Sequence, residues 1–367
     1  MRIDPFEIER YYERWEFAAE LMLSSSDCES LSVADLFALE PDAERRLAEL
    51  RLGYTEVAGS RELRAAAAAL YASAGEDDIL TVAAAEEGLF LAFQALLAPG
   101  DEAIVEVPCY GSPLALARSA GAAVLPWRRR LEDGWRHDLD ELAALVGERT
   151  RLIYVNSPHN PTGQALDADD YARVVEVARE RGIILVCDEV YRGLEHDEAA
   201  RLDAGVDAYE HAVSLGAVSK AHGLPGLRVA WLASRDGTAL AAMRELKLYT
   251  TICSSAPAEL LLAVALRHDA ELVRRSRGFV LAHLPLIDAL LARHGDIFSW
   301  VRPTAGPIGF PRISGVGDVR GWCEGIAAEH GVLLLPGYVY GMDDHVRLGF
   351  GRADTGAAVE RLEAALA

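Results

Sequence analysis

Ser219-Lys220-Ala221-His222-Gly223-Leu224-Pro225-Gly226-Leu227-Arg228 holds one of only two lysines in the chain, the other being Lys247, although Lys and Arg together number 36. A lysine amine can lose its proton, attack a carbonyl and form a Schiff base, whereas a guanidinium stays charged and non-nucleophilic. The plain structural alternative is a solvated surface lysine, the usual fate of that residue type. The neighbours argue otherwise: Ser219 supplies a hydroxyl, Arg228 a fixed cation, and Gly223, Pro225 and Gly226 a tight non-helical path between them. An amine, a hydroxyl and a cation on one short segment suit a phosphorylated aldehyde.

Working outward, Arg151-Leu-Ile-Tyr-Val-Asn-Ser-Pro-His-Asn160-Pro161-Thr162-Gly163 reads as a buried strand ending in a turn. Gly182-Ile-Ile-Leu-Val-Cys-Asp188-Glu189-Val190-Tyr191 is an apolar run that delivers a carboxylate at its C-terminal end, where parallel strands place functional groups. Ile79-Leu-Thr-Val-Ala-Ala-Ala85-Glu86-Glu87-Gly88 looks like a strand, a small-residue turn and a helix start, which offers free N–H groups and a positive dipole end to an anion. Ile104-Val-Glu-Val-Pro108-Cys109-Tyr110-Gly111 ends another strand with an aromatic ring, and His345-Val-Arg347-Leu-Gly-Phe350 alternates like a strand. Helices expected near 5–22, 61–74, 86–97, 110–120 and 167–181 alternate with these strands, so the fold class is α/β with a mostly parallel sheet flanked by helices. After Pro257 the pattern is helical to about 294, then turns to Gly- and Pro-rich strands around 301–313 and 332–335.

The ordered set from Tyr54 to Arg347 resembles the class I/II aminotransferase family of fold-type I pyridoxal phosphate (PLP) enzymes. Its carriers here are the lysine segment, with Ala217 where many members have a first Ser, and Asn160-Pro161-Thr162-Gly163. The resemblance implies a seven-stranded-type sheet in a large domain plus a smaller α+β domain, PLP as cofactor, and an amino acid as substrate. By the resemblance, Lys220 carries the cofactor and serves as base, Asp188 meets the pyridine nitrogen, and Asn160 and Tyr191 meet the phenolic oxygen. The N–H groups of Ala85 and Glu86, with Ser219 and Arg228, would hold the phosphate; the family usually has Gly where Ala84 stands. Tyr110 would stack on the ring, and Arg347, with Arg352 as a rival, would clamp the substrate carboxylate. Tyr54, in Gly53-Tyr54-Thr55-Glu56-Val57-Ala58-Gly59, matches a tyrosine that reaches the phosphate across a dimer interface, which implies a homodimer with a shared active site.

A closer likeness, carried by Leu23-Ser24-Ser25-Ser26-Asp27-Cys28-Glu29, Ala305-Gly-Pro-Ile-Gly-Phe-Pro311-Arg312 and His330-Gly-Val-Leu-Leu-Leu-Pro336-Gly337, is to the capreomycidine synthase-like subgroup. Those enzymes eliminate a hydroxyl from 3-hydroxyarginine and close a guanidine ring. Asp27 and Glu29 then become candidate contacts for a cationic substrate side chain, against the alternative that the Ser24–Asp27 stretch caps the helix expected at 32–39. An aminotransferase is the first expectation and a lyase or cyclase the second. A non-catalytic PLP-binding regulator is a third, for which the chain lacks a basic DNA-binding module.

Composition agrees. A chain of 367 residues with 51% hydrophobic content can bury a large core and a smaller second unit. A net charge of -21 argues against a nucleic-acid partner. The five scattered cysteines show no metal-ligand spacing, no metal site is expected, and a reduced, cytoplasmic compartment fits them best. Neither a signal peptide nor a membrane span is legible. The expected division is an N-terminal arm over 1–42, a large PLP-binding domain over 43–284 and a small domain over 285–367.

Overall fold

The computed structural model describes residues 2–366. Its centre is a seven-stranded sheet built from β1 (Ile79–Val82), β2 (Glu102–Val107), β3 (Ala123–Arg128), β4 (Thr150–Asn156), β5 (Ile184–Asp188), β6 (Ala212–Ala217) and β7 (Ala230–Ala233). The spatial order is β1-β7-β6-β5-β4-β2-β3, parallel throughout except that β7 runs antiparallel to both β1 and β6. Helices cover both faces, so the inner strands are largely apolar, and every residue of β6 and β7 is buried.

Helix boundaries follow local chemistry. Over Ala168–Arg181, the Asp167 side chain accepts from the Asp170 N–H at one end and Gly182, at φ +62°, closes the other. The helix α1 (Glu7–Trp15) is shorter than the expected 5–22, because Leu21–Met22 are drawn into a parallel pair with Val332–Leu333. The expected helix at 61–74 ends at Ala68, and Tyr71 instead accepts a hydrogen bond from Trp231 Nε1 at 2.8 Å. In the tail, Pro303, Pro307 and Pro311 withhold ladder donors, so the expected strand region shrinks to Ile308–Gly309 and Arg312–Ile313. Ser32, not the Ser24–Asp27 stretch, caps the helix Val33–Leu39, in a capping box with Asp35.

The C-terminal unit contains β8 (Val346–Gly349), flanked by Ile308–Gly309 and Leu335–Pro336. The N-terminal arm is laced to it: Leu23 N–H donates to Leu333 O, Gly349 N–H to Leu23 O, and Glu29 N–H to Gly351 O. On its other side the arm touches the lysine loop, where Leu31 N–H donates to Gly223 O. Gly223 sits at φ +66°, and a Cβ there would overlap the Glu29 carbonyl oxygen, so only glycine lets arm and loop pass this closely. A single helix, Asp269–Arg293, runs through the expected boundary at 284/285 and carries Pro285 within it.

Candidate active site

A cavity of about 480 Å³ opens at the C-terminal ends of the parallel strands and is roofed by α1 and the arm. At its floor Asp188 ends β5, in register with Asn156 at the end of β4. Tyr154 OH donates to Asp188 Oδ2 at 2.8 Å, Val190 N–H donates to Oδ1 at 3.3 Å, and Asn156 Nδ2 donates to the Asp188 carbonyl at 3.0 Å. Burial pushes the Asp188 carboxyl up to about 6, so it lacks the cation that such a depth calls for. Asn156 also accepts from the Asn160 N–H at 2.7 Å, and its own N–H donates to Glu106. Glu106 is wholly buried, with Arg129 Nη2 at 3.1 Å and His137 Nε2 at 2.9 Å from its Oε2.

Lys220 projects into the cavity from the loop after β6, and its Nζ donates to Ser26 Oγ at 2.9 Å. Burial holds its ammonium below the ordinary lysine range, opposed by Asp27. Opposite lies the start of helix α2 (Ala85–Leu96), whose first N–H groups have no partner inside the helix. Leu89, Leu91, Ala92 and Phe93 are buried and fix this end of α2, each contributing about 1.5–3 kcal/mol for the larger side chains. Ala84 holds φ +125°, a conformation natural to glycine, so the turn keeps its shape despite the substituted residue. Ser219, Arg228 and Tyr110 also line the cavity. Tyr110 OH donates to Glu9 Oε1 at 2.6 Å and its ring meets Phe6 edge-on. Glu86 accepts from Ser112, and burial pushes its carboxyl up to about 7.

At the far wall Arg347 rises from β8 and is 1% exposed. Nε and Nη2 donate to Ser24 O at 3.2 and 2.7 Å, Nη2 also to Tyr12 OH at 2.6 Å, and Nη1 to Tyr340 OH at 2.6 Å and Asn160 Oδ1 at 3.1 Å. These contacts engage all the guanidinium donors, so a carboxylate reaches Arg347 by replacing a hydroxyl such as Tyr12 or Tyr340. Gly163, at φ +69°, brings the Asn160 turn against the C-terminal unit; a Cβ there would overlap Ile308 O.

Most of the residues singled out in the sequence converge here: Lys220, Asp188, Tyr191, Ala85, Glu86, Tyr110, Asn160, Ser219, Arg228, Arg347 and Asp27 all line the cavity. Two do not. Glu29 turns away, accepting the Ala353 N–H at 2.8 Å, and Tyr54 is 93% exposed on the surface. Asp27 faces the cavity but is forked onto Arg352, at 3.0 and 3.3 Å. Sequence reading missed Ser26 and Asn156, Tyr340 on Arg347, and the set Ile8, Glu9, Tyr12 and Glu16 on α1 and its C-terminal cap. That last set recurs at helical spacing, a signal that places one face of α1 but not what the face looks onto.

The donor set fits PLP from end to end. Free helix N–H groups with Arg228 and Ser219 suit a phosphate, the under-neutralised Asp188 suits a pyridinium, the buried and unpartnered Tyr191 hydroxyl suits a phenolate, and Lys220 suits the aldehyde. The profile of aminotransferase class I and II matches residues 20–364. The chain belongs to that family. It is 35% identical over 345 residues to a capreomycidine synthase of Streptomyces vinaceus, covering 93% of this chain and 87% of that one. It is 30% identical over 317 residues to an arginine–pyruvate transaminase of Pseudomonas aeruginosa, covering 81% and 77%. The PLP-dependent cyclase OrfR superposes with a TM-score of 0.91 at 29% identity, covering 100% of this chain and 99% of that one. As a member of this aminotransferase family the chain is a PLP-dependent enzyme of fold type I.

Proposed function

We propose that the enzyme transaminates an amino acid whose side chain is cationic. When bound, PLP supplies an aldehyde that captures the amino group and a ring that takes up the electrons left on the substrate carbon. Asp188 would keep the ring nitrogen protonated, while Asn160 and Tyr191 would orient the phenolic oxygen. Ala85, Glu86, Ser219 and Arg228 would hold the phosphate, Tyr110 would lie against the ring, and Arg347 would fix the substrate carboxylate. Lys220, freed as a neutral amine, would take the α-proton and return it across the nitrogen to the former aldehyde carbon.

The charge pattern of the cavity carries the substrate class. Among its lining residues the cations are Lys220, Arg228, Arg347 and Arg352, and the acids are Glu9, Glu16, Asp27, Glu86 and Asp188. Arg352 is satisfied by Asp27; the phosphate, the substrate carboxylate and the ring nitrogen account for Arg228, Arg347 and Asp188. Glu9 on α1 and Glu16 at its C-terminal cap, both lining the cavity, form no ion pair that closes this balance among the described residues. They would receive a guanidinium or ammonium group. The similarity to an arginine–pyruvate transaminase is consistent with this choice.

The second reading is elimination and cyclisation of a hydroxylated arginine-type substrate, favoured by the capreomycidine synthase and cyclase likenesses. One experiment separates the two. In transamination a cationic amino acid alone converts the bound aldehyde to the amine form of the cofactor, and a keto acid restores it; in elimination the aldehyde absorbance persists through turnover. We expect the first result with arginine or lysine, and about fivefold loss of kcat/KM for them in Glu9→Gln or Glu16→Gln. Turnover of 3-hydroxyarginine with the aldehyde band unchanged would establish the cyclase reading instead.

The 1–42, 43–284 and 285–367 division is likewise proposed as arm, large domain and small domain, with the helix Asp269–Arg293 as the strut between the last two. We also propose a homodimer with a shared site and residence in the cytoplasm. The free state of Cys28, Cys109, Cys187, Cys253 and Cys323 supports the latter. No helix among the described residues is long and apolar enough to cross a membrane.

A further inference from the structure

We propose that Ser26 is a positioning residue for the reacting amine of Lys220, delivered to it by the N-terminal arm. Its Oγ lies 2.9 Å from Nζ although the two residues are 194 positions apart in the chain. The arm holds that hydroxyl from both sides: Leu23 is tied to Leu333 and Gly349, and Glu29 to Gly351, so Ser26 sits on backbone that is pinned before and after it. Gly223 then seats the arm on the Lys220 loop itself. The Tyr191 hydroxyl, buried and without a hydrogen bond of its own, lies beside the same Ser26.

A serine hydroxyl has one hydrogen to give and two lone pairs to receive. Here a lone pair receives a Lys220 N–H, so the hydroxyl acts toward the amine as an acceptor. Pinning one N–H stops free rotation about the Cε–Nζ bond and fixes where the nitrogen lone pair points. When the neutral amine takes the substrate α-proton, the C–H bond breaks, an N–H bond forms and the electron pair stays on the substrate carbon. Ser26 then accepts from the ammonium so formed. Because an acceptor at this place favours the charged form of the amine, removing it lowers the Lys220 pKa.

This inference rests on Lys220 being the reacting base, and the test separates the two ideas. In the cofactor-free full-length chain, amine labelling as a function of pH, mapped by peptide mass, reads Lys220 directly. Lys247, buried with its Nζ on Val57 O at 2.6 Å, serves as the internal reference for an intact fold. We expect Ser26→Ala to move the Lys220 labelling midpoint down by about half a unit or more, and Ser26→Thr, which keeps the hydroxyl, to restore it. In the holoenzyme, Ser26→Ala should slow α-hydrogen exchange of the substrate about tenfold, leave KM within about twofold, and shift the acidic limb of the kcat profile to lower pH. A labelling midpoint that does not move, or that moves equally in the Ala and Thr variants, overturns the proposal. A restored midpoint without any exchange, on any amino acid, keeps the Ser26 contact and refutes the assigned reaction.

Discussion

At Asp188 a single carboxylate would, on the proposed reading, decide whether the cavity only binds its cofactor or also activates it. Tyr154, Val190 and Asn156 hold the group in place, and a neutral amide fits the same volume. Asp188→Asn should therefore keep bound PLP, judged by its absorbance, and lose on the order of 10³-fold or more in kcat, since the electrostatic support of the electron sink is gone. Near-normal turnover would show that Asp188 does not meet the ring nitrogen. Asp188 was legible in the sequence because an apolar run of strand length ends on it, and Lys220 because a scarce residue type sat between a serine and an arginine. Ser26 was not legible: its partner lies on a distant segment, and no local pattern reports a contact that tertiary packing creates. Asp27 and Glu29 show the same limit at close range. Both are acids of one short arm, yet one faces the cavity and the other turns to the Ala353 N–H, because the arm is fixed by backbone bonds to Gly351 and Gly223 rather than by its own side chains.

Strand β2 contributes to the floor through a group that never touches the cavity. Glu106 supports Asn156 from behind, and against the cost of burial, His159, Arg129 and His137 hold its carboxyl down at about 2. Glu106→Gln would turn amide hydrogens toward donors already pointing at that place and leave Arg129 buried without its counter-ion. Destabilisation of roughly 3–5 kcal/mol is expected by denaturant unfolding. The sign with pH follows from the lowered value: the contribution is complete above the ordinary carboxylate range near 4.5 and fades as pH falls from there to about 2. Wild-type stability should drop across that window, and the Gln variant should lose this part of the slope; parallel curves would exclude Glu106 as its source. The long elements were the readable ones, since their caps and periodicity are local, as in Asp167 to Gly182. The two-residue strands Leu21–Met22 and Val332–Leu333 exist only because the chain ends meet, and they cost the expected N-terminal helix its second half.

On the scale of the whole molecule, the surface around Tyr54 is ordered yet uncovered. Leu52 is 81%, Tyr54 93% and Tyr249 87% exposed, while Thr55 donates to Ser254 O and Glu259 and buried Lys247 donates to Val57 O. A segment held this firmly with its aromatic rings outward is built to be covered, and in the proposed homodimer a second copy of the chain would bring Tyr54 toward the other subunit's phosphate cradle. Sedimentation should give a dimer at working concentration. Tyr54→Ala and Lys220→Ala homodimers should each be strongly impaired, because every site in them lacks one of the two residues. In a mixed dimer one site receives both changes and the other receives neither, provided that Tyr54 acts across the interface. Random re-association of equal amounts then makes half of the dimers mixed, each with one intact site, so activity should recover to about a quarter of the wild-type value. If Tyr54 acted within its own subunit, no arrangement of the two variants would create an intact site, and the mixture would stay as inactive as its parts; that result, or a fully active monomer, would refute the shared site.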